Sequence, residues 1–171
     1  SATSGGGIDN AGVLTIRHST IRNNHAQGSG GGIHSTGSLT LEESLIRWNS
    51  AGNSGGGAYA HGVTVRGSTF AGNTAGQSGG GALANEGPAM RLSGSTFVRN
   101  AAGTTGSGGG GAISNYSEAS SVIANTTIVE NSANGDGGGI ATIRGDLLMA
   151  NSTITNNSGW KGGGIVYFEN P

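Results

Sequence analysis

Apolar residues alternate with single polar or small residues in short runs that recur evenly along the chain. Leu14 and Ile16, Leu39 and Leu41, Val63 and Val65, Met90 and Leu92, and Leu147 and Met149 each bracket one residue. A further run keeps Ile123 but has Ser121 as its partner. Three residues after each run stands a hydroxyl: Ser19, Ser44, Ser68, Ser95, Thr126 and Ser152. Two further on comes a large apolar residue, Ile21, Ile46, Phe70, Phe97, Ile128 or Ile154. Three beyond it, without exception, is an asparagine: Asn24, Asn49, Asn73, Asn100, Asn131 and Asn157. A small residue follows two later: Ala26, Ala51, Ala75, Ala102, Ala133 and Gly159. Period-two alternation over four to six residues, bounded by Gly and Asn, predicts short β-strands with one buried face. No helical stripe survives among so many glycines and β-branched residues.

Glycine triplets open each unit, at Gly5, Gly30, Gly55, Gly79, Gly109, Gly137 and Gly162, spaced 24–30 residues apart. The residue after each triplet is Ile8, Ile33, Ala58, Ala82, Ala112, Ile140 or Ile165, which predicts a first strand there. Self-similarity at this period marks a solenoid whose units cannot bury a core alone. Three strands per unit, each paired in parallel with its counterpart in the next unit, give an all-β fold: a right-handed parallel β-helix of about six coils plus a partial seventh, forming one domain over residues 1–171. Six coils make a rod roughly 29 Å long. The asparagine column predicts a ladder of stacked amides at a corner, where Asn also tolerates left-handed backbone. Extra residues fall at Glu86–Pro88, Tyr116–Ala119 and Gly103–Ser107, and loops that bulge from a regular rod are the natural place for function.

Composition narrows the classes. Glycine reaches 37 of 171 residues with only 2 prolines, but it lacks the three-residue period of collagen. Charged residues are 10% and the formal net charge is −1, so no nucleic-acid footprint exists. Without cysteine there is no disulfide framework and no thiolate metal site. No apolar run approaches a membrane-spanning length. Beginning at Ser1 directly before a triplet and stopping at Pro171 within a unit, the sequence reads as a mature or excised segment.

Gly110-Gly111-Ala112-Ile113, together with Phe70-Ala71-Gly72-Asn73 and Phe97-Val98-Arg99-Asn100, resembles the paired GGAI and FxxN repeats of the chlamydial polymorphic outer-membrane proteins and related bacterial extracellular repeats. The other four coils carry Ile for Phe, and the resemblance covers essentially the whole chain. It implies a right-handed β-helix serving as passenger or stalk of a secreted or surface-anchored protein, often adhesive. This sequence departs from the family in carrying no β-barrel or anchor.

Candidate chemistry is sparse. Glu42 shares an outward column with Arg17 and Arg66, and Arg99 shares one with Glu130; both read as inter-coil ion ladders. His18, His25, His34 and His61 occupy four different unit positions, so no metal-ligand spacing arises and they read as solvated. The Asp of calcium-binding glycine-rich repeats is missing, and no triplet precedes Gly-Lys-Ser/Thr. An outward threonine column, Thr20, Thr69, Thr96, Thr127 and Thr153, is broken by Leu45 and reads as ordinary strand surface. No catalytic, cofactor or metal residue is assigned. The expectation is a non-catalytic structural or adhesive β-helix, secreted or at the bacterial surface, whose partner is a cell-surface glycan or protein. Alternatives are a filament subunit associating end to end through Ile165, Val166, Tyr167 and Phe168, and a carbohydrate-active enzyme. Those four residues would equally serve as a cap over the last coil.

Overall fold

The computed structural model describes residues 2–77, 79–103 and 109–168, and every regular element in them is a β-strand. The first coil carries β1 (Ile8–Asn10), β2 (Leu14–Arg17), β3 (Thr20–Arg22) and β4 (His25–Ala26). The second repeats them as β5 (Ile33–Ser35), β6 (Leu39–Glu42), β7 (Leu45–Arg47) and β8 (Ser50–Ala51), and the third as β9 (Ala58–Ala60), β10 (Val63–Arg66), β11 (Thr69–Ala71) and β12 (Thr74–Ala75). The fourth holds β13 (Leu83–Asn85), β14 (Arg91–Ser93), β15 (Thr96–Val98) and β16 (Ala101–Ala102). The fifth holds β17 (Ile113–Asn115), β18 (Ser121–Ala124), β19 (Thr127–Val129) and β20 (Ser132–Ala133). The sixth contributes β21 (Ile140–Thr142), β22 (Leu147–Ala150) and β23 (Thr153–Thr155), and a partial seventh contributes β24 (Ile165–Tyr167). Equivalent strands stack coil upon coil into four parallel sheets.

Four strands per coil, rather than the expected three, is the first correction. The extra strand is the small-residue segment after each corner asparagine, where Ala26, Ala51, Ala75, Ala102 and Ala133 point inward. At two residues it is too short to show any alternation.

The second correction concerns register. The inward column after the triplets runs Ile8, Ile33, Ala58, Leu83, Ile113, Ile140, Ile165, not through Ala82 and Ala112. In coils four and five the small Ala82 and Ala112 take the place of the third glycine, and both are fully buried. The structural frame there starts at Gly80 and Gly110, one residue after the triplets open at Gly79 and Gly109. The middle glycine of the frame has no room for a Cβ. A Cβ on Gly31 would lie 2.3 Å from the Ser50 carbonyl oxygen and 2.4 Å from that of Gly56. Backbone from two other segments closes on it, leaving no space for any side chain.

The core is a narrow column of stacked aliphatics with two phenyl rings at its centre. Phe70 and Phe97 stack at 4.9 Å between centroids with planes 8° apart, and Ile46 and Ile128 extend the stack on either side.

Two polar ladders close the corners. Asn24 donates its backbone N–H and its side-chain amide to Asn49 Oδ1 at 3.1 and 3.0 Å, and the pattern repeats through Asn73, Asn100, Asn131 and Asn157. The second amide hydrogen goes back to a core-strand carbonyl: Asn73 to Ile46, Asn100 to Phe70, Asn131 to Phe97. The left-handed backbone expected at these asparagines sits one residue earlier, at Asn23, Trp48, Gly72, Arg99, Glu130 and Asn156. That residue turns the corner, leaving the ladder Asn free to point inward. The anchoring hydroxyls form a ladder of their own. Ser44 Oγ accepts from Ser19 N and donates to the Glu42 carbonyl, and Ser68 and Ser95 repeat the arrangement. The column was evident in the sequence; its hydrogen-bonding role was not.

Candidate ligand groove at the inserted corners

Where β9, β13, β17 and β21 end, the chain turns its first corner, and three of these corners are longer than the rest. Ladder pairing stacks them side by side, so Glu86–Pro88 and Tyr116–Ala119 lie against each other as the sequence led one to expect. The other inserted stretch, Gly103–Ser107, follows β16 and lies outside the described residues beyond Gly103. Between the first-corner loops runs an open groove of about 460 Å³, walled by His61, Glu86, Gly87, Pro88, Tyr116, Glu118, Ala119 and Arg144. His61 and Arg144 come from the flanking coils, which length differences alone did not point to.

Buried amides hold the groove in shape. Asn85 Oδ1 accepts from Gly62 N at 3.0 Å, and its Nδ2 donates to the Pro88 carbonyl and to Asn115 Oδ1, both at 3.0 Å. Asn115 in turn donates to Ser121 Oγ at 3.2 Å. This partial ladder escaped the sequence reading because its column, Asn10, Ser35, Ala60, Asn85, Asn115 and Thr142, is interrupted by other residue types. Gly87 lies directly on His61: a Cβ there would sit 2.6 Å from the His61 backbone and 2.7 Å from its ring.

The groove's electrostatics centre on Glu86. Tyr59 donates to Glu86 Oε2 at 2.6 Å. Burial first, then that hydrogen bond, pushes the Tyr59 phenol above its ordinary value near 10. Burial likewise raises Tyr116, with the Glu86 charge adding to it. Both phenols therefore stay protonated as donors at neutral pH. A raised phenol contributes stability that is fully present below about pH 10 and is lost as pH climbs through the folded-state value. In an absorbance titration of the three tyrosines, two are expected to ionise late, and Tyr59→Phe should remove one late step. Loss of amplitude near pH 10 in that variant would show that the Tyr59–Glu86 bond is not formed. Glu118 is occupied as well, by Arg144 Nη1 at 3.1 Å.

Other polar surface is arranged in ladders. Arg17 Nε and Arg66 Nη1 grip Glu42 at 2.5 and 3.2 Å, and the Arg17 hydrogen bond draws the Glu42 carboxyl below its usual range. Arg99 Nε reaches Glu130 at 2.7 Å. Histidine is less solvated than its sequence positions suggested. His34 stacks on Tyr59 at 5.1 Å and bonds Asp9 at 2.8 Å, with its side chain 17% exposed. Its column neighbours are of different types, so scanning for histidine pairs did not show the contact. His18 and His25 meet Glu43 and Ser50 in the next coil and remain exposed. Among the described residues no three His, Cys, Asp or Glu side chains converge as a metal site would need.

Ile165, Val166 and Tyr167 form the last strand of the first sheet, on β21. Tyr167 donates to the Gly145 carbonyl at 3.0 Å, and the Lys161 ammonium lies 4.9 Å over the Phe168 ring. Lys161 also pairs at 2.8 Å with the buried Asp136.

The family described as right handed beta helix region matches residues 5–170. Comparisons with curated proteins and with solved structures gave no match.

Proposed function

The chain belongs to the right-handed β-helix family, and from that premise we propose that it is a non-catalytic, adhesive rod of a secreted or surface-held bacterial protein. The observation that carries this reading is the corner groove: an open trough along four coils of a rod whose other charges are largely satisfied by each other. Its lining offers the neutral Tyr116 phenol and the His61 imidazole beside the Pro88 ring. Such a set holds a polar ligand by hydrogen bonding and stacking, without proton transfer. A cell-surface glycan or an extended peptide has the right shape and polarity.

A glycan-cleaving reading draws on Glu86 and Glu118 lining the same groove, as paired carboxylates do in glycosidases. Here each is already engaged, Glu86 by Tyr59 and Glu118 by Arg144. Two measurements separate the readings. Wild-type protein and Tyr116→Ala are tested for binding to a glycan array and to intact cells, and wild type is tested for release of reducing or unsaturated ends from polyuronides. Adhesion predicts binding without turnover and a loss of roughly tenfold or more in Tyr116→Ala, the magnitude of a buried aromatic anchor. Turnover abolished by Glu86→Gln would replace adhesion with catalysis.

A further inference from the structure

Seven arginines and one lysine supply the positive charge. Arg17, Arg66, Arg99 and Arg144 are each held by a glutamate of a neighbouring coil. Arg22 and Arg47 are placed differently. They are register partners on the outer face of β3 and β7, one coil apart, and neither is in an ion pair among the described residues. Their outward neighbours on that face are Thr20, Leu45, Thr69 and Ala71, none acidic. Like charges directly opposite on a sheet work against folding. The Arg47 guanidinium lies 4.2 Å over the Trp48 ring, and its Nε is buried with no hydrogen bond inside the protein. Trp48 turns the next corner in left-handed backbone, φ 53°, with 54% of its surface exposed. One edge of the indole rests on Gly72, where a Cβ would come within 2.8 Å of Cδ1. Thus a facing cation pair, an orphaned buried donor and a large exposed aromatic in a disfavoured conformation coincide at one place. Features that each oppose stability and occur together mark a site kept for binding.

We propose that Arg22, Arg47 and Trp48 form a binding site for an acidic polysaccharide, one carrying carboxylate or sulfate groups. Guanidinium forks bind such oxyanions through paired, charge-assisted hydrogen bonds. An anion between Arg22 and Arg47 relieves their repulsion. The open part of the indole takes the apolar face of a sugar ring. From there Thr69, Thr96, Thr127 and Thr153 continue the same face at one hydroxyl per coil, a track for a linear, polyhydroxylated chain. Nucleic acid fits less well, because the chain as a whole carries a net charge of −1 and no basic stripe continues beyond this pair. The site lies on a different sheet face from the corner groove and stands whether or not the groove binds anything.

Titration calorimetry tests it with four probes: heparin, polygalacturonate, neutral dextran and oligothymidine. The proteins are wild type, Arg22→Gln, the Arg22→Gln/Arg47→Gln pair, Trp48→Ala and Arg91→Gln. Wild type should bind at least one acidic polysaccharide and not dextran. Each lost guanidinium should weaken binding roughly tenfold, and Trp48→Ala should weaken it comparably. Arg91→Gln, a charge lost from β14 on a different sheet, should bind as wild type does. The double variant should melt no lower than wild type, because removing facing like charges favours the fold; the single Arg22→Gln serves if the double variant does not fold. The site is refuted by absence of acidic-polysaccharide binding, by equal affinity in the Arg22 and Arg47 variants, or by an equal loss in Arg91→Gln, which would mark the binding as unspecific charge attraction. Oligothymidine bound as tightly, with the same variants affected, would overturn the glycan assignment.

Discussion

Replacing Phe97 with alanine is expected to lower the unfolding midpoint by about 6–20 °C, which corresponds to roughly 3–5 kcal/mol for a buried aromatic in a domain of this size. Phe97 is fully buried, stacked on Phe70 in the coil before and in register with Ile128 in the coil after. A globular core can partly collapse around a deleted ring, but this core is a single column whose walls are tied to adjacent coils by backbone hydrogen bonds. The void therefore persists, and the lost ring contact adds to the lost burial. Thr96 is next along the same strand with its side chain on the outer face, so Thr96→Ala should shift the midpoint only slightly. A Thr96→Ala protein less stable than Phe97→Ala would reverse the assignment of inner and outer faces. Because a solenoid unfolds by neighbour interactions, the damage should spread outward from coils three to five, and amide exchange there should quicken first.

The contrast between these neighbouring residues was legible in the sequence because the strand period is two and Ile46, Phe70, Phe97 and Ile128 fall on one parity. The corner asparagines were legible for the same reason, as one residue type at one offset in six coils. What stayed hidden either lacked that recurrence or was too short to alternate. The fourth strand is two residues long and carries only alanine on its inner side. The register of coils four and five slipped because glycines were counted, whereas the fold counts the inward position that Leu83 and Ile113 fill. In the groove, insertion lengths pointed to Glu86–Pro88 and Tyr116–Ala119. They did not point to Tyr59, His61 and Arg144, which arrive from flanking coils, nor to Asn85 and Asn115 beneath them. Arg22 and Arg47 stand at one offset in adjacent units, but their lack of ion-pair partners among the described residues is a three-dimensional fact. A repeat sequence thus exposes what every coil shares and conceals what a single coil does, and binding sites belong to the second kind.

Asn73→Ala is expected to cost about 2–6 kcal/mol, although it removes only a small polar side chain. Asn73 is fully buried at the centre of the ladder. Its Oδ1 accepts the backbone N–H of Asn49 and one side-chain hydrogen of Asn49, both at 3.0–3.1 Å. Its Nδ2 donates to the Ile46 carbonyl at 2.9 Å and to Asn100 Oδ1 at 3.0 Å. After the change Asn100 Oδ1 still accepts from the backbone of residue 73, and the Asn49 amide still reaches the Ile21 carbonyl. The Asn49 N–H and the Asn49 amide hydrogen that pointed at Asn73 have no replacement, whereas the Ile46 carbonyl keeps its place in the β7–β11 ladder; each buried, unpaired group costs about 1–3 kcal/mol. Asn24, the first rung, is the internal control. It is half-buried and serves its neighbour only as a donor, so Asn24→Ala leaves Asn49 Oδ1 still bonded to a backbone N–H and should cost under about 1 kcal/mol. Urea melts of the two variants, with hydrogen exchange at the Asn49 amide, measure the difference directly. Equal destabilisation in both would mean that the corner tolerates loss of the amide, and that glycine packing rather than the ladder holds successive coils in register.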